Sequence, residues 1–216
     1  MNMHKVCTRL LVFICAAVLL LSFAPSAYAV SYYYTAAWTD VHYGLSGEIY
    51  VMSGDPAVTS GDFKVNSIWC VTSDSLQQIE MGWCFHHDMS GYENKPYHFI
   101  QFVRDGQIVA QPHVAATRGA TARYTTRCEF NGTYKCYRDS VFVGAYTTPM
   151  TSCLPGAQAE IHHAGDSNYA DISRLLFYAK SDKGYHYWTT MNWQDDPGDN
   201  YHFVKVSNYH FSSVHN

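Results

Sequence analysis

Two short segments place a glutamine and a glutamate two residues apart, Gln78-Ile79-Glu80 and Gln158-Ala159-Glu160. In extended chain, side chains alternate, so each segment presents Gln and Glu on one face and apolar residues on the other. Ile79, Met81, Trp83 and Phe85 form one stripe of the first segment, and Gln78, Glu80, Gly82 and Cys84 the other. Ala157, Ala159 and Ile161 supply the apolar side of the second. If the two strands are neighbours, Glu80 and Glu160 meet, one carboxyl keeping its proton and the other ionised. Such a pair can activate water and protonate a leaving amine, with Gln78 or Gln158 donating to the developing oxyanion. Activity would then be greatest at acidic pH, where the pair holds a single proton. Gly82, which gives a strand nothing to pack, is expected to let a substrate backbone approach. From spacing alone the favoured reading is that both glutamates lie on a solvated face, since half of all strand faces are polar.

The surrounding sequence predicts strands almost throughout. Segments 43–52, 63–72, 76–85, 97–104, 122–130, 134–143, 157–163, 173–179, 185–193 and 201–211 are rich in β-branched and aromatic residues. Gly, Asp and Pro clusters separate them. Asp105-Gly106 and Asn131-Gly132 are hairpin signals. No segment sustains a 3.6-residue period, so the expected class is all-β, an antiparallel β-sandwich or jelly roll of two curved sheets.

Lys5 and Arg9 precede the 14-residue apolar run Leu10–Phe23, followed by Ala27-Tyr28-Ala29. Residues 1–29 therefore read as a signal peptide with Val30 as the mature N-terminus, too short in its apolar part for a membrane span. Residues 30–216 form a single secreted domain. Removing Lys5 and Arg9 from the 14 Lys+Arg leaves 12 against 18 Asp+Glu, with no basic run. That composition excludes nucleic acid as a partner, and membrane after signal cleavage.

Five cysteines follow the signal: Cys70, Cys84, Cys128, Cys136 and Cys153. Export favours pairing. A three-residue Asn131-Gly132-Thr133 loop would set Cys128 opposite Cys136, so a Cys128–Cys136 disulfide is expected. Cys84 is expected to pair with Cys70 or Cys153. Adjacent histidines, His86-His87 and His162-His163, point to opposite strand faces and make a poor metal site. Asp195 to Asn200 lacks a calcium-loop spacing and reads as a solvated turn. No metal or other cofactor is expected.

Ser67-Ile68-Trp69-Cys70-Val71 followed by Gln78-Ile79-Glu80-Met81-Gly82-Trp83-Cys84-Phe85 resembles the catalytic domain of neprosin-like glutamic peptidases. Ala159-Glu160-Ile161-His162-His163-Ala164-Gly165 is similar to the strand bearing their second glutamate. The resemblance implies a secreted endopeptidase with Glu80 and Glu160 as the catalytic pair. It takes a peptide or protein substrate along a groove that includes Gly82, Trp69, Tyr97 and His162. Tyr134 to Gly144 is also similar to a strand, Asp, turn, strand hairpin of concanavalin A-like sandwiches. Those folds bind carbohydrate, which makes a glycan-binding, lectin-like module the alternative. Its aromatic platform would use Trp69, Tyr97, Tyr137 and Trp188. A silent member of the fold is the third reading.

Overall fold

Alternating β-branched and aromatic residues, interrupted by Gly, Asp and Ser at positive φ, leave the chain little choice but short paired strands. The computed structural model describes residues 33–54, 58–59, 61–87, 90–91, 93, 95–110, 113–195 and 201–215. The proposed signal peptide and most of the 195–200 turn lie outside these residues. Within them are β1 (Tyr33–Trp38), β2 (Gly44–Tyr50), β3 (Phe63–Val71), β4 (Gln77–His86), β5 (Pro96–Arg104), β6 (Gln107–Ala110), β7 (His113–Ala115) and β8 (Thr121–Cys128). They continue with β9 (Thr133–Arg138), β10 (Val141–Thr147), β11 (Leu154–Ile161), β12 (Asn168–Tyr178), β13 (Tyr185–Tyr187), β14 (Asn192–Asp195), β15 (Tyr201–Ser207) and β16 (His210–His215). No helix occurs among the described residues.

The strands form two antiparallel sheets. One runs β14-β1-β11-β3-β4-β5-β6 with β7 beside β5, and the other β10-β9-β8-β2-β12-β16-β15 with β13 beside β12. This is the expected all-β sandwich. Its main core fills the space between the sheets. Ile68, Cys70, Ile79, Met81, Trp83 and Ile161 of the first sheet pack against Leu45, Ile49, Tyr124, Tyr134, Ile172 and Phe211 of the second. Trp83 also ties the layers by donating its indole N–H to the Tyr50 carbonyl at 2.9 Å.

Three expected segments divide where tight turns fit inside them. Asp139 and Ser140, at φ 49° and 68°, make a two-residue turn between β9 and β10, the arrangement implied by the hairpin resemblance. Asn208-Tyr209 separates β15 from β16, and segment 185–193 yields only the short β13 and the start of β14. β1 was not expected from the sequence, yet it carries Tyr34 and Ala36 next to Glu160 and Gln158 of β11.

The cysteines depart from expectation. Glu129 N–H bonds the Thr133 carbonyl at 2.8 Å, so the loop is Phe130-Asn131-Gly132, closed by left-handed Phe130 and Gly132. This register sets Tyr134 opposite Cys128 and Thr126 opposite Cys136, two residues out of step. All five cysteines are free and buried. Cys84 faces away from Cys70, in a separate cluster with Phe63, Val65, Tyr97 and Phe99. Cys70 instead lies within hydrogen-bonding reach of Cys153, near Cys136 and Cys128. Burial pushes the Cys84 and Cys136 thiols up to about 12 and Cys70 well above its usual value. Iodoacetamide at pH 8 should therefore leave these five thiols unmodified in the native chain and alkylate all five in denaturant. Mass-spectrometric detection of rapid native labelling, or of a Cys128–Cys136 cross-link, would refute this packing.

Candidate active site

The central strands of the first sheet, β11, β3, β4 and β5, are buried on both faces, and the second face carries the polar residues singled out in the sequence. β3 separates the two glutamate-bearing strands. Glu80 of β4 stands opposite Trp69, and Glu160 of β11 opposite Val65. Ser67 lies between them in register, paired with Gly82 on one side and Gln158 on the other. The glutamates are thus diagonal across β3 rather than directly opposed, and long side chains close the gap. Both are 0% exposed, which removes the solvated-face reading.

One amide joins them. Gln158 Nε2 donates to Glu80 Oε1 at 3.3 Å and to Glu160 Oε2 at 3.1 Å, one N–H for each carboxyl. Glu80 accepts two further bonds, from Ser67 Oγ to Oε1 at 2.7 Å and from Gln78 Nε2 to Oε2 at 3.0 Å. Glu160 Oε1 has no hydrogen-bond partner among the described residues. The environments therefore differ although both are dry. Burial raises the Glu80 carboxyl to about 7, and the Ser67 bond pulls in the opposite direction. Burial raises Glu160 well above its ordinary value, and the neighbouring Glu80 charge pushes the same way. Three donors favour the anion at Glu80, whereas Glu160 is the carboxyl that keeps a proton.

The glutamines bind the carboxyls and so orient the pair; Gln158 spends both its N–H donors on them and has none left for an oxyanion, whereas Gln78 spends one. Ser67 was not expected at all. A hydroxyl on a strand face otherwise made of Phe63, Val65, Trp69 and Val71 was its signal. Gln101 of β5, buried opposite Glu80, was likewise missed.

Gly82 has a different reason from the one expected. A Cβ there would meet the Asn66 carbonyl oxygen at 2.2 Å and Ser67 Cα at 2.7 Å. The glycine therefore lets β4 close on β3 and bring Ser67 to Glu80; a substrate backbone is not needed to explain it. Gly82→Ala should push these strands apart and cost about 3 kcal/mol or more in urea unfolding. A midpoint equal to that of the wild type would contradict the contact.

The other expected groove residues are on this face but packed away. Trp69 is buried with Val71, against Trp38 and Leu154, its indole lying on Gly156, where a Cβ would meet the ring at 2.1 Å. Tyr97 is buried with Phe63, Val65, Cys84 and Phe99. His162 stacks on Phe63 and pairs with Asp62 at 2.5 Å, beyond the end of β11. The aromatic platform does not form. Trp69 and Tyr97 belong to one sheet, Tyr137 to the other, and Trp188 is buried in the core between them. Among the described residues no group of three or more His, Cys, Asp or Glu is arranged to hold a metal.

The architecture is similar to that of glutamic peptidases. Scytalido-glutamic peptidase bound to a peptide-based transition-state analogue superimposes with a TM-score of 0.59 at 9% identity, over 87% of this chain and 99% of that one. SCP-B, a member of the eqolisin family of peptidases in complex with the tripeptide Ala-Ile-His, gives 0.55 at 10% identity, over 87% and 99%. At these identities the likeness is one of fold, and it does not extend to the neprosin-like family in particular. No protein-family model matches the sequence, and no curated protein matches it.

Proposed function

We propose that this chain is a glutamic-type endopeptidase, exported as its N-terminal sequence suggests and related in design to neprosin-like enzymes. The observation that carries the reading is Gln158 Nε2 bridging two fully buried carboxyls in unequal environments. In this role ionised Glu80 takes a proton from water as the oxygen attacks the peptide carbonyl. Glu160 gives its proton toward the carbonyl oxygen and then the leaving nitrogen. The proton given by Glu160 ends on the leaving amine and the second water hydrogen stays on the new carboxylic acid, so the pair is left with one proton, the one Glu80 took from water, and its passage to Glu160 restores the starting form. Gln78, Gln158 and Ser67 are positioning residues that hold the carboxyls in place. Peptide entry requires this buried face to open. The fold shared with peptidases supports the reading at the level of architecture. Incubation of the purified chain with a peptide library from pH 3 to 9, read by mass spectrometry, should give discrete internal cleavages. Absence of cleavage at every pH would overturn the proposal.

A further inference from the structure

A second site lies on the opposite face of the first sheet. A cavity of about 130 Å³ opens between the two sheets where β5 and β7 face β8, β9 and β10. It is lined by Met81, Ile100, Val114, Val143, His98, Tyr124 and Arg138, with Phe99 at its wall. Val114 is 48% exposed and marks the mouth, whereas Met81 and Tyr124 are buried and form the back.

Arg138 sets the chemistry. Every other arginine among the described residues has a side-chain partner. Arg104 bonds the Thr147 carbonyl and Arg118 the Gly54 carbonyl, Arg123 and Arg174 meet Glu48, and Arg127 meets Glu129. The Arg138 guanidinium has neither a hydrogen bond nor an ion pair among the described residues, although it is half-buried and its charge is felt by His98 and Tyr124. The acid nearest in sequence, Asp139, makes no ion pair with Arg138: it accepts the Arg123 backbone N–H at 2.8 Å, while its charge also reaches His98 and Tyr124 and opposes that of Arg138 there. His98 Nδ1 and Tyr124 OH satisfy each other at 2.6 Å. Burial, and then the Arg138 charge, push His98 down to about 4, so it adds no second cation at neutral pH.

One unpartnered guanidinium at the end of an apolar cavity is complementary to one kind of ligand. We propose that this cavity binds a small monocarboxylate with a compact branched or aromatic body, its carboxylate paired with Arg138. The body lies among Met81, Ile100, Val114 and Val143. A partly buried guanidinium gains most from an anion that also excludes water, and a flat carboxylate matches its fork.

Benzoate, isobutyrate and neutral benzyl alcohol, titrated into the purified full chain by isothermal calorimetry and NMR, test this. Benzoate should bind saturably with a Kd on the order of 1 mM, and isobutyrate should compete with it. Benzyl alcohol should bind at least about tenfold more weakly, the loss of one charge-assisted contact. Arg138→Gln should weaken benzoate by a similar factor. Val143→Phe, which keeps the charge and fills the space, should abolish binding while circular dichroism stays native. Arg138→Lys, a milder change should Arg138→Gln disturb the fold, should retain part of the affinity. No saturable benzoate binding by the wild type, or equal affinity in a folded Arg138→Gln or Val143→Phe chain, overturns the proposal. The readout is binding, so its outcome is independent of whether the carboxyl pair hydrolyses peptides.

Discussion

Glu160→Gln and Glu80→Gln should each lower peptide hydrolysis by about 10²–10⁴-fold or more while leaving the β-sheet circular dichroism unchanged, since each deletes one half of the proton traffic. The two losses should not add, because a base without its acid, or an acid without its base, leaves the same crippled site. The pH profile separates the roles. The working form has Glu80 ionised and Glu160 protonated, so kcat/KM should rise with pH as Glu80 loses its proton. Burial raises that group to about 7. The rising limb therefore falls near neutrality rather than in the acidic range expected of a carboxyl pair from sequence alone. The decline comes only when Glu160, raised further by burial and by the Glu80 charge, is deprotonated. Ser67→Ala removes the 2.7 Å donor that favours the Glu80 anion and should move the rising limb upward. Cleavage by either Gln variant at the wild-type rate would remove the pair from the mechanism.

How much of this site the sequence discloses depends on the range of the interaction. Period-two alternation alone places Ile79, Met81, Trp83 and Phe85 in the inter-sheet core and Gln78, Glu80, Gly82 and Cys84 on the other face, and the structure has them so. What alternation cannot disclose is what lies beside each face. Polar residues at every second position usually mark water, yet Glu80 and Glu160 are buried, and only the placing of β3 between their strands brings Ser67 and Gln158 within reach of Glu80. Gly82 illustrates the same limit. Its lack of a side chain is visible in the sequence, but the atom that would collide with one belongs to the β3 backbone. The Cys128–Cys136 expectation rested on a loop one residue out of place. Asn131-Gly132 correctly marks a turn, but left-handed Phe130 joins it and slides the register by two. β1, which lines Gln158 and Glu160, lies close behind the apolar N-terminal run and shows no clean alternation of its own.

The buried pair also predicts an unusual stability difference. A carboxyl whose pKa is raised on folding stabilises the native state fully below its unfolded value and loses that contribution as pH rises through the folded value. For Glu80 the window runs from 4.5 to about 7, and that shift corresponds to about 3 kcal/mol. Glu160 extends it to higher pH. The wild-type curve alone hides this, because two bases, the half-buried His98 and the buried Lys64, act in the opposite sense. His98, pushed down to about 4, makes the fold gain stability as pH rises from there to 6.5. Lys64, pushed down to about 7 by burial, does the same between there and 10.5. Subtracting the wild type from Glu80→Gln cancels both, leaving the carboxyl. The variant should be nearly as stable as the wild type at pH 4.5. At pH 8 it should be more stable by about 3 kcal/mol, a rise in Tm of about 6–12 °C for a chain of this size, because an amide need not be stripped of charge to stay buried. Loss of Glu80's charge also relieves Glu160, which adds to the gain at the alkaline end. A difference between the two chains that stays constant from pH 4.5 to 8 would show that Glu80 titrates as an ordinary carboxyl, and the buried, unequal pair on which the hydrolytic mechanism depends would be lost with it.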